Sequence, residues 1–165
     1  RHVGRNVNPD NPHLDGSYKP WLAYGQAKLA NYHFGLGLND RFEAAGVRAA
    51  SLVAHPGLSN TDLQSTTVAE GGGGGTFAPL AESMASATGM SPEQGSRPQL
   101  RAATDPRAKG GELYGPRFVT NGPPVKLPVL RKVGMAKGIE TLWKVSERET
   151  GIAIDVSATA ADLDD

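Results

Sequence analysis

Apolar side chains recur at helical spacing in the first third of the chain. The apolar positions are Trp21, Tyr24, Leu29, Tyr32, Leu36 and Phe42. Pro20 suits the first turn of a helix because its φ is already fixed there. Gly46 suits the end because glycine accepts the left-handed conformation that closes many helices. The pattern predicts a helix over residues 20–45.

A short apolar run follows this helix. Residues 47–55 contain Ala49, Ala50, Leu52, Val53 and Ala54 without polar alternation. Such a run is typical of a strand that is covered on both faces, as in a parallel sheet. A helix that leads into such a strand is half of a βαβ unit, so the pattern predicts an α/β fold.

Two more helices are predicted in the second half of the chain. Ser91, Pro92 and Gln94 form a helix start, with a serine cap and a glutamine three residues later. Pro98 is expected to disturb that helix, and residues 100–104 to continue it. Residues 137–150 have an amphipathic pattern that ends at Gly151, which predicts a final helix.

The remaining segments are predicted to be mostly irregular. Turn-forming pairs make residues 1–19 a loop, and residues 112–115 predict a short edge strand. The five glycines at 71–75 predict a mobile hinge, followed by a short helix at 77–87. The small acidic tail at 156–165 is predicted to be disordered.

Composition and charge exclude several classes of protein. The 165 residues fit one domain, and their 17 basic and 17 acidic side chains cancel, which argues against binding to nucleic acid or an anionic membrane. Cysteine is absent and the four histidines are scattered, so we expect no metal site. No run approaches the ~18 apolar residues of a membrane span, which makes the cytoplasm the expected location.

Tyr24 and Lys28 are candidates for proton transfer. Residues four apart on a helix share a face, so the predicted helix places the two side chains together. A cation about 4 Å from a phenol contributes ~4 kcal/mol at an effective dielectric constant of about 20, which favours the phenolate. A phenolate can take the proton of an alcohol. The alternative is a structural contact, with the aromatic ring packed under the aliphatic lysine stem.

A Pro-Gly turn follows the predicted strand. Open α/β sheets bind ligands at the ends of their strands, so Pro56 and Gly57 lie where a ligand is expected. Glycine lets a flat ring approach the backbone, and Thr61 can bond to a carboxamide. The alternative is an ordinary turn with Asn60 or Thr61 as a helix cap. His55 is expected to make a local hydrogen bond, with a substrate contact as the alternative.

Together these segments resemble the short-chain dehydrogenase/reductase family, in particular its retinol-dehydrogenase-like and protochlorophyllide-reductase-like branch. The Tyr-x-x-x-Lys motif lies in residues 21–31, and Pro-Gly-x-x-x-Thr lies in residues 52–61. Weaker similarities occur at 112–116 and 142–147. The resemblance touches much of residues 18–151.

The resemblance implies an NAD- or NADP-dependent oxidoreductase that acts on a lipophilic alcohol, aldehyde or ketone. Tyr24 would be the acid/base residue, and Lys28 would favour its phenolate and bind the nicotinamide ribose. The nicotinamide would be held by Pro56, Gly57, Leu58 and Thr61. Residues 62–90 would form the loop that closes over the substrate. Pairing of the tyrosine-bearing helices would give a homo-oligomer.

The implied fold is the C-terminal part of a doubly wound, Rossmann-type parallel sheet in three αβα layers. Residues 1–155 would be the C-terminal portion of one such domain, with the first βαβ units in a missing N-terminal half. The family's glycine-rich pyrophosphate turn is absent from the sequence, and the glycines at 71–75 do not replace it, because no strand leads into them. The family's active-site serine is expected upstream of Arg1, and Ser17 is interpreted as a turn residue.

Two other functional classes remain open at this point. The chain can be a non-catalytic fragment that depends on another polypeptide, whose exposed sheet edge at residues 47–54 would aggregate or pair. It can also be a binding module that senses nicotinamide without turnover.

Overall fold

The structure is a computed structural model that describes residues 4–16, 18–58 and 89–157. This part of the chain has a mixed α/β arrangement, with three helices and one three-stranded sheet. It divides into two compact units. The sheet unit contains Ala54–Ala108 and Glu112–Pro128, and the helical unit contains His2–Val53, Lys109–Gly111 and Val129–Asp165.

The first helix of the helical unit, α1, extends over Pro20–Ala45. Pro20 occupies its first turn, and Gly46 closes it in the left-handed conformation with a φ of 68°. The Gly46 amide donates to the carbonyl groups of Glu43 and Phe42. These local signals are the ones that predicted the helix, and the prediction is confirmed.

The last helix, α3, extends over Met135–Thr150 and packs against α1. Gly151 ends it with a φ of 68°, which confirms the predicted end. The apolar side chains buried in this unit come from both helices: Tyr32, Leu36, Ile139, Leu142, Trp143 and Val145. Burial of a large apolar side chain contributes about 1.5–3 kcal/mol, so the pairing of α1 with α3 is the main source of stability here.

Trp143 is the largest side chain in this packing. It is 3% exposed and stacks on Phe34, with ring centroids 5.1 Å apart and planes 18° apart. The guanidinium carbon of Arg41 lies 3.7 Å from the centroid of the Trp143 ring, a cation–π geometry. Both partners belong to α1, so Trp143 fastens α3 to that helix.

The first strand, β1, is Val53–Ala54 and is much shorter than the predicted strand at 47–55. Ala49 and Ala50 are exposed, and Val53 and Ala54 are half-buried. The prediction of a long strand covered on both faces is therefore wrong. Alanine methyl groups bury little area, so an alanine-rich run satisfies an apolar pattern without a strong tendency to be buried.

The other two strands form an antiparallel hairpin. They are β2, Leu113–Pro116, and β3, Pro124–Leu127, with Leu113 opposite Leu127 and Pro116 opposite Pro124. The order β1-β2-β3 makes β2 the central strand of the described sheet, and all its residues are buried. The predicted strand at 112–115 is confirmed, but its predicted edge position is wrong because β3 supplies a second neighbour.

The second helix, α2, extends over Pro92–Thr104 and packs on β2 and β3. Ser91 Oγ accepts from the Gln94 amide at 3.2 Å, and Gln94 Oε1 accepts from the Ser91 amide at 3.1 Å. This capping box confirms the predicted start. The predicted continuation over residues 100–104 is confirmed, but the predicted disturbance at Pro98 is wrong. Pro98 lies inside the helix and is fully buried, and its packing offsets the missing backbone bond.

Polar contacts fasten α2 to the hairpin. The Arg101 guanidinium lies over the Tyr114 ring and donates to the Pro124 carbonyl. The Tyr114 hydroxyl donates to Glu112 at 2.8 Å, and Lys126 donates to the other oxygen of Glu112 at 2.6 Å. Burial, reinforced by Glu112, raises the pKa of Tyr114, so this phenol stays a hydrogen-bond donor.

The described parts of the predicted N-terminal loop, 4–16 and 18–19, contain turns and no helix or strand, as expected. Several other predictions fall outside the described residues. These are the substrate loop at 62–90 except for residues 89–90, the glycine hinge at 71–75, the helix at 77–87, Ser17, and residues 158–165 of the tail.

Candidate active site

The predicted acid/base pair lies on the early turns of α1. Tyr24 is 43% exposed, and Lys28, one turn later, is also exposed. Lys28 Nζ lies over the Tyr24 ring, 5.3 Å from its centroid. The helix brings the two groups together because residues four apart share one face. The arrangement is a cation–π contact on an exposed helix face.

The early turns of α1 are held by the segment that precedes them. Gln26 is 9% exposed, and its side-chain amide donates to the Pro12 carbonyl at 2.9 Å. Gly4 lies against the Gly25 carbonyl so closely that a Cβ at Gly4 would overlap it. These contacts hold the helix directly after Tyr24, at Gly25 and Gln26, so the phenol is carried on an ordered element.

In the sheet unit, the Pro-Gly turn follows β1. Gly57 adopts a φ of 74°, and a Cβ added there would lie 2.5 Å from the Thr120 carbonyl oxygen and 2.6 Å from Pro116. Both the φ and the close approach require glycine. Leu58 donates its amide to the same Thr120 oxygen at 2.7 Å. The inner side of the turn is therefore held by the β2–β3 connection, while Pro56 is exposed.

His55 connects the turn to the sheet. Its amide donates to the Tyr114 carbonyl at 3.0 Å, and its Nδ1 accepts from the Gly57 amide at 3.2 Å. This contact confirms the expected local hydrogen bond. Burial lowers the pKa of His55, which favours the neutral ring.

A cavity of about 460 Å³ lies beside the turn within the sheet unit. It is lined by Gly89, Met90, Gln94, Arg97, Asn121, Gly122 and Pro123. The Met90 amide donates to the Leu58 carbonyl at 2.9 Å, which joins the cavity wall to the turn. Met90 and Pro123 give the cavity apolar surface, and Arg97 gives it one positive charge. A ligand with an apolar body fits this lining.

The sequence-predicted site residues fall into two groups. Tyr24 and Lys28 lie together in the helical unit. Pro56, Gly57 and Leu58 form one turn in the sheet unit. Thr61 lies outside the described residues.

The β2–β3 connection, residues 117–123, is a part of the site that was not predicted from the sequence. Thr120 accepts the Leu58 amide, and Asn121 and Gly122 line the cavity. The Asn121-Gly122 pair lies between two apolar runs, which is a strong hairpin signal, and it could have indicated this connection.

The same connection contains a strained residue. Val119 has a φ of 73°, which costs a β-branched residue about 1–3 kcal/mol. Its amide donates to the Pro116 carbonyl at 3.0 Å, which helps to hold this conformation.

Within residues 4–16, 18–58 and 89–157, no three or more histidine, aspartate or glutamate side chains are grouped so that they could bind a metal ion. In the same residues, no helix combines the length and the apolar character that crossing a membrane demands.

Comparisons with known proteins give one informative similarity. No family model matches the chain, and no curated protein matches it. The chain is similar to a crystal structure of an uncharacterized protein from Mycobacterium paratuberculosis, with 31% sequence identity and a TM-score of 0.65. The match covers 93% of this chain and 47% of the other, so this chain spans about half the length of that protein.

Proposed function

We propose that the chain carries the proton-transfer part of an NAD- or NADP-dependent oxidoreductase of the short-chain dehydrogenase/reductase type. The observation that carries the proposal is the position of Lys28 Nζ over the Tyr24 ring, 5.3 Å from its centroid, on one exposed helix face. The same helix leads along the chain into β1 and the glycine turn at 56–58, which is the order that the family resemblance requires.

The proposed fold is the C-terminal part of a doubly wound, Rossmann-type sheet. The mixed α/β arrangement and the helix that precedes β1 support it. The similarity to a protein of about twice this length is consistent with a chain that holds part of such a fold. The remaining βαβ units, with the glycine-rich pyrophosphate turn, belong to the part of the fold that this sequence does not contain.

The residues present fit the nicotinamide end of the cofactor. The turn at 56–58 is fixed from one side by Thr120 and leaves Pro56 exposed, so a flat ring can lie against it. When bound, the nicotinamide accepts or gives a hydride. Thr61 is proposed as a further contact with its carboxamide, and Lys28 as a contact with its ribose.

Tyr24 moves the proton in the proposed reaction. In oxidation, the alcohol O–H proton passes to the Tyr24 phenolate oxygen as the C–H hydride leaves the same alcohol, and a carbonyl forms. In reduction, the Tyr24 phenol returns its proton to the carbonyl oxygen. The proposed role of Lys28 is to assist Tyr24 through its positive charge, because opposite charges attract.

The cavity beside the turn supports a lipophilic substrate. Met90 and Pro123 contribute apolar atoms to the wall, so the body of an alcohol, aldehyde or ketone can lie against it. The Met90–Leu58 hydrogen bond connects this wall to the turn on which the nicotinamide is proposed to lie.

The proposal is tested on the complete protein, including the nucleotide-binding half of the proposed fold, by turnover of a panel of lipophilic alcohols and carbonyls with NAD(H) and NADP(H). Tyr24→Phe removes only the hydroxyl and should lower kcat by about 10²–10⁴-fold, the usual contribution of a general acid/base. Tyr18→Phe is the matched control, because Tyr18 is also an exposed tyrosine, at 67%, and should keep full activity. Near-full turnover in Tyr24→Phe would refute the catalytic role. Tight dinucleotide binding with no turnover would favour a sensing module instead.

A further inference from the structure

His55 is held through both its backbone and its ring. Its backbone amide bonds to Tyr114, and its Nδ1 accepts the Gly57 amide at 3.2 Å. Its Nε2 lies so close to Gly115 that a Cβ there would overlap it. Gly115 therefore makes room for the ring on β2. A ring fixed in this way presents Nδ1 to the turn in one orientation.

The hydrogen bond defines the protonation state of the ring. The Gly57 N–H is a donor, so Nδ1 must offer its lone pair and the ring proton must be on Nε2. Protonation of the ring would add a hydrogen to Nδ1, directed at the Gly57 N–H. The contact would then change from an attraction to a repulsion between two donors. The bond therefore exists only with the neutral ring.

We propose that His55 is a positioning residue that holds the turn at 56–58 in shape through its neutral Nδ1. The same bond orients the turn for the nicotinamide ring. This second part rests on the proposed function, whereas the first concerns the turn alone. The residue does not touch the reacting atoms and acts through the backbone of Gly57.

The titratable groups on the elements packed around His55 are engaged elsewhere. On β2, Tyr114 bonds to Glu112, which precedes that strand, and on β3 Lys126 bonds to Glu112 as well. On α2, Arg101 bonds to Asp105. Of these groups together with His55, only His55 has an ordinary pKa in the range that a shift from about pH 7.5 to pH 5 covers. The positive charge of the chain's α-amino group also lowers the pKa of His55.

The direction of the pH effect follows from the lowered pKa of His55. The unfolded chain takes up the proton near pH 6.5, before the folded chain does. The stabilisation from the neutral ring is therefore complete above about pH 6.5 and is lost as the pH falls through the folded pKa. The turn should loosen in acid and tighten again when the pH is raised.

Two substitutions distinguish the loss of the hydrogen-bond acceptor at position 55 from the protonation of the His55 ring. Asn places Oδ1 on Cγ, as His places Nδ1 on Cγ, so His55→Asn keeps an acceptor for the Gly57 amide in the manner of an Asx turn. Asn does not titrate in this range. Leu has a branched apolar side chain with no acceptor, so His55→Leu removes the bond at every pH.

The test is hydrogen exchange of the Gly57 amide, measured by NMR on the 165-residue chain and corrected for the intrinsic pH dependence of exchange. From about pH 7.5 to about pH 5 the wild-type protection should fall roughly tenfold, the equivalent of one hydrogen bond. His55→Asn should stay protected throughout, and His55→Leu should be unprotected throughout. Wild-type protection that does not change with pH would overturn the proposal, as would His55→Asn behaving like His55→Leu. The wild-type measurement needs no variant, so a misfolded variant does not remove the test.

A second measurement addresses the cofactor. In a protein that also carries the nucleotide-binding half of the proposed fold, at about pH 8, the Kd for NADH or NADPH should be roughly tenfold higher in His55→Leu than in wild type, and restored in His55→Asn. Equal affinities in all three proteins would overturn the orienting role. No dinucleotide binding by any of them would refute the proposed function, while the Gly57 amide would still decide whether His55 holds the turn.

Discussion

Two tyrosines on α1, eight residues apart, have opposite surroundings. Tyr24 is 43% exposed and has the Lys28 ammonium group over its ring, whereas Tyr32 is 2% exposed in the core. Burial raises the pKa of Tyr32, and the charge of Arg131 offsets this only in part. A buried phenol is therefore poorly suited to give up a proton. The same residue type becomes suited to proton transfer only where a ligand can reach it and a cation faces it.

The difference extends to the two parts of the helix. The early segment, residues 20–28, presents Tyr24 and Lys28 to the outside. The later segment, residues 32–39, buries Tyr32, Leu36 and other side chains against α3. We infer that stability and chemistry are carried by different turns of one helix. Substitutions in the later segment should therefore change the free energy of unfolding, and those in the early segment should change activity.

The largest effect on stability is expected at Trp143, the α3 side chain that packs against the later segment of α1. Trp143→Ala removes a ring that stacks on Phe34 and faces the Arg41 guanidinium. We expect a loss of about 3–5 kcal/mol in the free energy of unfolding, as for other buried Trp and Phe truncations. Denaturant unfolding measures the loss. Trp143→Phe is the control, because it keeps an aromatic surface for Phe34 and should recover part of the stability. A loss below about 1 kcal/mol in Trp143→Ala would contradict the conclusion that Trp143 fastens α3 to α1.

A smaller effect is expected at Gly37 in the later segment. A Cβ there would lie 2.5 Å from Trp143 Nε1 and 2.6 Å from Ile139 Cγ2, so Gly37→Ala forces these side chains to move. Overpacking costs about 1–3 kcal/mol, and the better helix propensity of alanine returns about 1 kcal/mol. The net result should be a loss of up to about 2 kcal/mol.

The control for Gly37 is Ala27→Gly, at an exposed position of the same helix, which measures the propensity effect by itself. Its loss should be about 1 kcal/mol. A clear gain of stability in Gly37→Ala would show that α1 and α3 are not in close contact at this point.

The smallest effect on stability is expected in the early segment. Tyr24→Phe and Lys28→Met change exposed side chains, and such changes usually alter the free energy of unfolding by less than about 0.5 kcal/mol. The two variants should unfold at the wild-type denaturant concentration. A loss above about 1 kcal/mol in either variant would contradict the inference that the early segment of α1 contributes little to stability.

The sequence predicted the helices well because their signals are local. Pro20 and Gly46 bound α1, Ser91 and Gln94 start α2, and Gly151 ends α3, each through contacts within one turn of the chain. The Tyr24–Lys28 pair follows from the same local geometry.

The sheet was predicted less well because its contacts connect distant residues. The central position of β2 depends on β3, which follows it after a connection of seven residues. The strand β3 begins with Pro124, and because proline is rare inside strands this segment was not predicted as one. The continuation of α2 through Pro98 depends on what Pro98 packs against, which local propensity does not contain. In the same way, the Thr120 oxygen that holds Gly57 and Leu58 is more than sixty positions away from them.

A double-mutant cycle on turnover tests the role of the Tyr24–Lys28 pair most directly. Single-turnover hydride transfer is compared in wild type, Tyr24→Phe, Lys28→Met and the double variant, each with wild-type stability. If the two residues act as one unit, each single variant is slower and the double variant is no slower than Tyr24→Phe, because Lys28 acts through the phenolate. Wild-type rates in Tyr24→Phe, or losses that simply add in the double variant, would contradict a catalytic pair.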